Sequence, residues 1–376
     1  MSLSRALAAA TTLFLAGSAG ADDYWVYLGT YTGGKDGSKG VYRARFDSKT
    51  GKLGGAELAA EMASPSFLAV HPNAKTLYAV GEGGGKDGGP VVAFAIDAKT
   101  GSLTKLNEDK SGGAGPCHVS VSPDGKFLAA ANYGGGSMIV YRLDADGKLA
   151  GRVGFVQHEG SSVNKGRQER PHAHCSYFDP KSQFVYTADL GIDRLKVVRV
   201  NAEGKELVPE ADRDIALPPG SGPRHLAIAP DGRFIYVCGE LDSTVNVVEI
   251  GEDGRGKVVQ SLSTLPKPTP GNTTAECLLH PSGKFVYVSN RGHNSIAVFQ
   301  VGSDRRLKAV GHITGEIKIP RNFNIDPSGK WMLIASQDGG QVGVWELDET
   351  TGLGKETGNT VAVSRCVCVK FVPVAK

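Results

Sequence analysis

The feature that most constrains this chain is a repeat. A short strand, a turn of the type x-Pro-(Asp/Ser/Asn)-Gly-Lys or a close variant, and a second strand recur over residues 68–80, 119–131, 175–188, 226–238, 277–289 and 323–336. The turn prolines are Pro72, Pro123, Pro180, Pro230, Pro281, Pro327 and, in a truncated copy, Pro373, at intervals of 51, 57, 50, 51, 46 and 46 residues. Proline sets φ for a tight turn and glycine takes the left-handed position, so each copy reads as a β-hairpin. A second element, an alternating strand running into a polar turn, recurs independently over 41–53, 91–103, 138–149, 195–207, 245–258, 296–310 and 342–353. Seven four-stranded units of about 50 residues define an all-β, seven-bladed β-propeller.

The two ends explain how such a ring closes. Residues 367–373 match the innermost strand of a blade and residues 25–30 match the strand that should follow it, so one blade is closed by both termini. Sharing a blade pairs two edges that would otherwise stand open. No domain boundary interrupts the chain from residue 22 to 376. Its 51 glycines and 7% aromatic content suit many strands and tight turns. The Gly-rich stretches 81–89 and 134–136 precede neither a helix nor a GKS/GKT sequence and are read as blade loops.

Residues 1–21 have the layout of a secretory signal peptide: Arg5, an apolar run over 6–16, and small residues ending at Ala21. The expected location is periplasmic or secreted. Loss of Arg5 leaves 41 Lys plus Arg against 39 Asp plus Glu. This balance supplies no field for nucleic acid or an anionic membrane, so a ligand must be recognised locally. An even six cysteines in an exported chain permit disulfides, but their scatter as lone residues in or just ahead of strands favours buried free thiols. Cys366 and Cys368, two apart, are expected on one strand face.

Propeller topology sorts the polar residues. The innermost strand and its neighbour are antiparallel, so the start of one and the end of the other meet at one mouth of the central channel. His118, His172, His174, Arg224 and His225 fall at strand starts there, with Glu276, Arg321 and Asn322. Tyr31, Glu82, Asn132 and Asp189 fall at strand ends, with Glu240, Asn290, Arg291 and Gln337. His71 and His280 fall at the opposite end. Counted from the turn proline, Arg224 is six before and Glu240 ten after, which sets them roughly opposite each other, and His174 shares the register of Arg224 one blade earlier. The lengthened third interval holds a patternless loop, 157–170, that enters at this mouth as a candidate lid.

Several arginines suit an anionic, oxygen-rich ligand, because a guanidinium grips a carboxylate or phosphate through paired hydrogen bonds. Opening a lactone needs a base to activate water and a cationic group to receive the oxyanion. Glu240 or His174 can serve as the base, and Arg224 and Arg291 can bind the oxyanion or the ligand's charge. A bracing ion pair between strands is the plain alternative for any one of these pairs. No metal-binding spacing and no Gly-x-Ser-x-Gly turn is found, and no cofactor is implied.

The motifs resemble the bacterial propeller-type 6-phosphogluconolactonases, which are similar to fungal carboxy-muconate lactonising enzymes. The resemblance rests on Gly29-Thr30-Tyr31-Thr32, Gly160-Ser161-Ser162-Val163-Asn164 with Arg167-Gln168, Pro171-His172-Ala173-His174 and Gly222-Pro223-Arg224-His225. It continues through Gly239-Glu240-Leu241, Ser289-Asn290-Arg291-Gly292 and Pro320-Arg321-Asn322-Phe323 with Gln337. It implies a catalytic set of His174 (or His172), Arg224, Glu240 and Arg291. The other mouth residues His118, His172, His225, Glu276, Arg321, Asn322 and Gln337 are expected, from their place in the topology, to bind the substrate. The expected reaction is hydrolysis of a small-molecule sugar lactone, phosphorylated or otherwise anionic, with no obligatory protein partner. The export signal departs from a cytosolic phosphorylated substrate. A non-catalytic binding propeller and a cyclase running toward lactone are the competing readings.

Overall fold

The hairpin turns close as their sequence dictates. In a computed structural model describing residues 23–33, 37–201 and 203–375, the turn glycines Gly125, Gly232, Gly283 and Gly329 have φ of 73, 71, 71 and 79°, each donating its N–H three residues back. Ala74 and Ser182 hold the same left-handed conformation, φ 58°, without the freedom of glycine. The leader expected over residues 1–21 lies outside the described residues.

Seven antiparallel sheets result, each running from an inner strand at the channel to an outer strand at the rim. The inner strands are Pro65–Val70, Pro116–Val121, Ala173–Phe178, Pro223–Ile228, Thr273–Leu279, Pro320–Ile325 and Cys366–Pro373. The last of these pairs with Asp23–Thr30, which continues to Gly40–Asp47, so the two ends of the chain do share one sheet. We number the blades from this shared one, so that Pro65–Val70 opens the second and Pro320–Ile325 the seventh.

Apolar faces of neighbouring blades pack together, and polar atoms fix their register. Tyr27, Tyr78 and Tyr287 donate their hydroxyls at 2.7–2.9 Å to the carbonyls of Gly101, Gly147 and Gly352, each in an outer turn of the next blade. At the far end, His71 and His280 reach the turn carbonyls of Gly125 and Gly329 at 2.9 and 2.8 Å. These two histidines brace adjacent blades and are remote from the opposite mouth.

One irregularity positions everything that follows. In each of the seven inner hairpins, all within the described residues, the ladder shifts register near the start of the inner strand. The inner strand holds one extra residue there, which bends the strand and re-aims side chains. Counting six back from each turn proline lands on these bulges, at Ser66, Cys117, His174, Arg224, Ala275, Arg321 and Val367. Val367 also separates Cys366 from Cys368. Instead of sharing a face, the two thiols pack in different core clusters, because the bulge breaks the two-residue alternation. All six cysteines are buried free thiols.

Candidate active site

A second ring stands beside the bulges. Ten residues after each turn proline come Glu82, Tyr133, Leu190, Glu240, Arg291 and Gln337, with Tyr31 as the equivalent in the shared blade. Except at Arg291, which pairs with Thr273 in the ladder, each donates its backbone N–H to the segment leading into its own inner strand. The two rings enclose a cavity of about 360 Å³ at the mouth. Cys117, His174 and Arg321 line it from the first ring, and Glu82, Tyr133, Glu240 and Arg291 from the second. Thr273 and Arg167 complete the wall.

Glu240 is the electrostatic centre. Arg224 Nε lies 2.9 Å from Glu240 Oε2, close enough to pair but off the line of a hydrogen bond. Arg291 Nη2 lies 3.1 Å from the same oxygen and donates to the Thr274 carbonyl at 2.9 Å. Arg167 Nη2 donates to Oε1 at 2.7 Å and to the Tyr133 hydroxyl at 3.2 Å. The register expected from the sequence is met with a correction. Arg224 and His225 sit in the bulge opposite Cys238, and Glu240 lies beyond the Pro223–Gly239 pair, so the contact is made over the strand end.

Burial alone would raise the Glu240 carboxyl, yet Arg291, Arg224 and Arg167 pull its pKa down to about 2. Burial, reinforced by Arg224 and Arg321 against the attraction of Glu240, brings Arg291 down to about 10. Burial and the neighbouring Arg224 and His225 hold His174 well below the usual imidazole value, as a neutral ring. Burial and Glu82 push the Cys117 thiol up to about 12, so it presents a thiol rather than a nucleophilic thiolate. Arg321 stacks 5.3 Å from the Tyr31 ring and, among the described residues, forms no ion pair. It is the cavity cation most available to a ligand.

The other expected site residues occupy different levels. His118, His225, Glu276 and Asn322 follow the bulge residues and lie deeper in the channel, each 2% exposed or less. His172 precedes its inner strand, stacks on Tyr133 at 4.6 Å and faces Glu169 at 3.3 Å, outside the cavity lining. Gln337 stands in the second ring but donates to Asp338 and does not line the cavity. Cys117 and Tyr133 were not singled out from the sequence, although they share the proline register of Arg224 and Glu240. Arg167 has no register; only the loop's path carries it to Glu240.

That loop is pinned rather than loose. His158 faces Asp189 at 2.7 Å with both side chains inaccessible, and Gln168 donates to the Leu190 carbonyl at 2.9 Å. Asp193 accepts from the Ser162 hydroxyl and from the Gly220 and Gly222 amides at 2.6–2.7 Å, tying the loop to the segment that leads into Arg224. Asp193→Ala is expected to speed tryptic cleavage after Lys165 and Arg167 and to lower kcat/KM about tenfold, by loss of charge-assisted hydrogen bonds. Limited proteolysis alongside steady-state kinetics checks both effects.

The architecture and this pocket define a class: a propeller that handles a small anionic molecule at one channel mouth. The comparisons with known proteins narrow it. A family model described as lactonase, 7-bladed beta-propeller, matches residues 25–371. The chain is 35% identical over 352 residues to a 6-phosphogluconolactonase from Bacillus subtilis, covering 93% of this chain and 98% of the relative. It is 34% identical over 334 residues to a 6-phosphogluconolactonase from Formosa agariphila, covering 87% and 93%. The solved structure of a periplasmic gluconolactonase from Pseudomonas aeruginosa superposes with a TM-score of 0.88 at 31% identity, covering 94% of this chain and all of that one. The chain belongs to the lactonase family of seven-bladed β-propellers. It is a lactonase, a hydrolase of carboxylic esters closed into rings, acting on a small-molecule lactone.

Proposed function

We propose that this lactonase opens a sugar lactone bearing an anionic group, by base-activated water with arginine stabilisation, and that His174, Arg224, Glu240 and Arg291 form the working set. The observation carrying this reading is the charge of the cavity. Arg167, Arg291 and Arg321 line it with Glu82 and Glu240, Arg224 joins Arg167 and Arg291 on Glu240 from the adjoining wall, and Arg321 has no ion-pair partner among the described residues. Glu240 offsets part of this charge and aligns three guanidiniums. Arg321 then takes the ligand's phosphate or carboxylate, while Arg224 and Arg291 face the carbonyl oxygen as it gains charge. A carboxylate held near pKa 2 is always ionised but accepts protons poorly, so the water's proton goes more readily to a neutral imidazole of the channel floor.

The leader sequence and the periplasmic relative support export, and they favour a second substrate reading, a plain aldonolactone. Initial rates on paired 6-phosphorylated and plain aldonolactones, corrected for spontaneous opening, separate the two. A phosphorylated preference of about tenfold or more is expected from one extra guanidinium contact. No opening of any aldonolactone above the spontaneous rate would end the reading.

A further inference from the structure

One buried pair has no part in the arginine cluster. His225 Nδ1 faces Glu276 Oε1 at 2.9 Å, with side-chain exposures of 3% and 1%. Glu276 is itself fixed: Asn322 Nδ2 donates to its other oxygen, and the Cys277 backbone N–H donates to Oε1 at 3.0 Å. With Nδ1–H committed to a carboxylate, the neutral imidazole carries its lone pair on Nε2. That nitrogen is buried without a hydrogen-bond partner among the described residues.

His225 also lines a small chamber of about 10 Å³, together with Arg224, Arg321, Glu82 and Cys117. One water needs roughly 10–15 Å³ for its centre and two to four polar partners. Arg321, Glu82 and Cys117 line the larger cavity as well, so the chamber adjoins its floor. We propose that this chamber holds the attacking water and that His225, oriented by Glu276, is the general base that takes its proton. This assignment rests on the lactonase reading and deepens it.

The step balances without a co-reactant. His225 Nε2 takes a proton from water, and the oxygen bonds to the lactone carbonyl carbon. The carbonyl electron pair moves onto oxygen beside the guanidiniums. On collapse the ring C–O bond breaks, and the leaving oxygen takes the proton back from Nε2–H, giving one hydroxy acid from one lactone and one water. The neighbouring imidazoles lack this arrangement. His174 Nδ1 faces the Cys117 sulfur at 3.8 Å and has no carboxylate in ion-pair range among the described residues. His118 Nδ1 accepts the Ser176 backbone N–H at 3.3 Å, which places its proton on Nε2 and leaves no free lone pair.

Burial lowers the His225 pKa below the ordinary imidazole value, Glu276 opposing and Arg224 and Arg321 adding to it. The other titratable groups around it are Glu82 and Cys117 in the chamber wall, His118 and His174 at 5.3 and 5.2 Å between rings, Cys238 across the strand, and Lys370 beyond Phe67. Activity therefore has an acid limb below the usual histidine range, set by His225.

The test is kcat and KM from about pH 4 to 9, with melting temperatures, for the parent protein, His225→Asn and Glu276→Gln on a lactone the parent opens. His225→Asn is expected to lower kcat by about a hundredfold or more with KM within about threefold. Glu276→Gln removes the influence that raises His225, so the acid limb moves to lower pH while kcat falls. His225→Asn retaining kcat within about threefold overturns the assignment, as does Glu276→Gln losing activity with the limb unmoved, the mark of a purely structural role. If His225→Asn does not fold, the limb of Glu276→Gln decides alone. A parent that opens no lactone takes the lactonase reading down too, whereas an active parent with unaffected variants overturns only His225.

Discussion

Glu240→Gln is expected to lower kcat about a hundredfold, to weaken the fold by about 3 kcal/mol at neutral pH, and to tighten anion binding. The kinetic loss comes from orientation: three guanidiniums lose the carboxylate that aligns them, and displacements of about 1 Å cost about that factor. The stability loss has two routes that agree in size. Removing one partner of a buried ion pair costs about 3–5 kcal/mol. The carboxyl moves from 4.5 to about 2 on folding, which corresponds to about 3 kcal/mol. Because the folded pKa is depressed, this contribution is fully present above about pH 4.5 and is lost as pH falls through about 2. The stability gap between parent and variant should accordingly be wide at pH 7 and vanish near pH 2. Denaturant unfolding at both pH values, with calorimetric binding of an anionic ligand, measures it. A variant with full turnover and an unchanged unfolding curve would mean that Glu240 does not organise the site.

The second large effect is expected at Arg321. Replacing it by Met should raise KM for a phosphorylated aldonolactone by about 10–100-fold, the range of a lost hydrogen bond to a charged group, and leave a plain aldonolactone within about threefold. The asymmetry follows from position: Arg321 stacks on Tyr31 and forms no ion pair among the described residues, so its charge is free for the ligand. Arg321→Lys should recover part of the loss, keeping the charge but not the planar fork. Equal losses on both lactones would assign Arg321 to the carbonyl rather than to the substrate's anionic group.

Much of the site was readable from one count. His174 and Arg224 fall six residues before their turn prolines and Glu240 ten after, because every blade repeats the same hairpin at the same distance from its turn. The same count reaches Arg321, and also Cys117 and Tyr133, whose residue types alone do not mark them as site residues. It does not reach Arg167, which is brought to Glu240 by a loop without periodicity. Nor does it reveal depth: His118 and His225 directly follow the counted positions Cys117 and Arg224 and are buried, while His172, two residues before His174, stacks outside the cavity.

By itself the sequence determined the number of blades, the closure through both termini, and which end of the ring gathers arginine, histidine and glutamate. Those properties are periodic, and periodicity is written in local turn chemistry and strand alternation. Tertiary structure alone decided which of these residues meet: Arg167 with Glu240, His225 with Glu276, and Cys366 apart from Cys368. The reason is that a β-bulge resets side-chain direction by one residue and a loop's path depends on distant anchors such as Asp189 and Asp193. Neither is encoded in the residues it repositions.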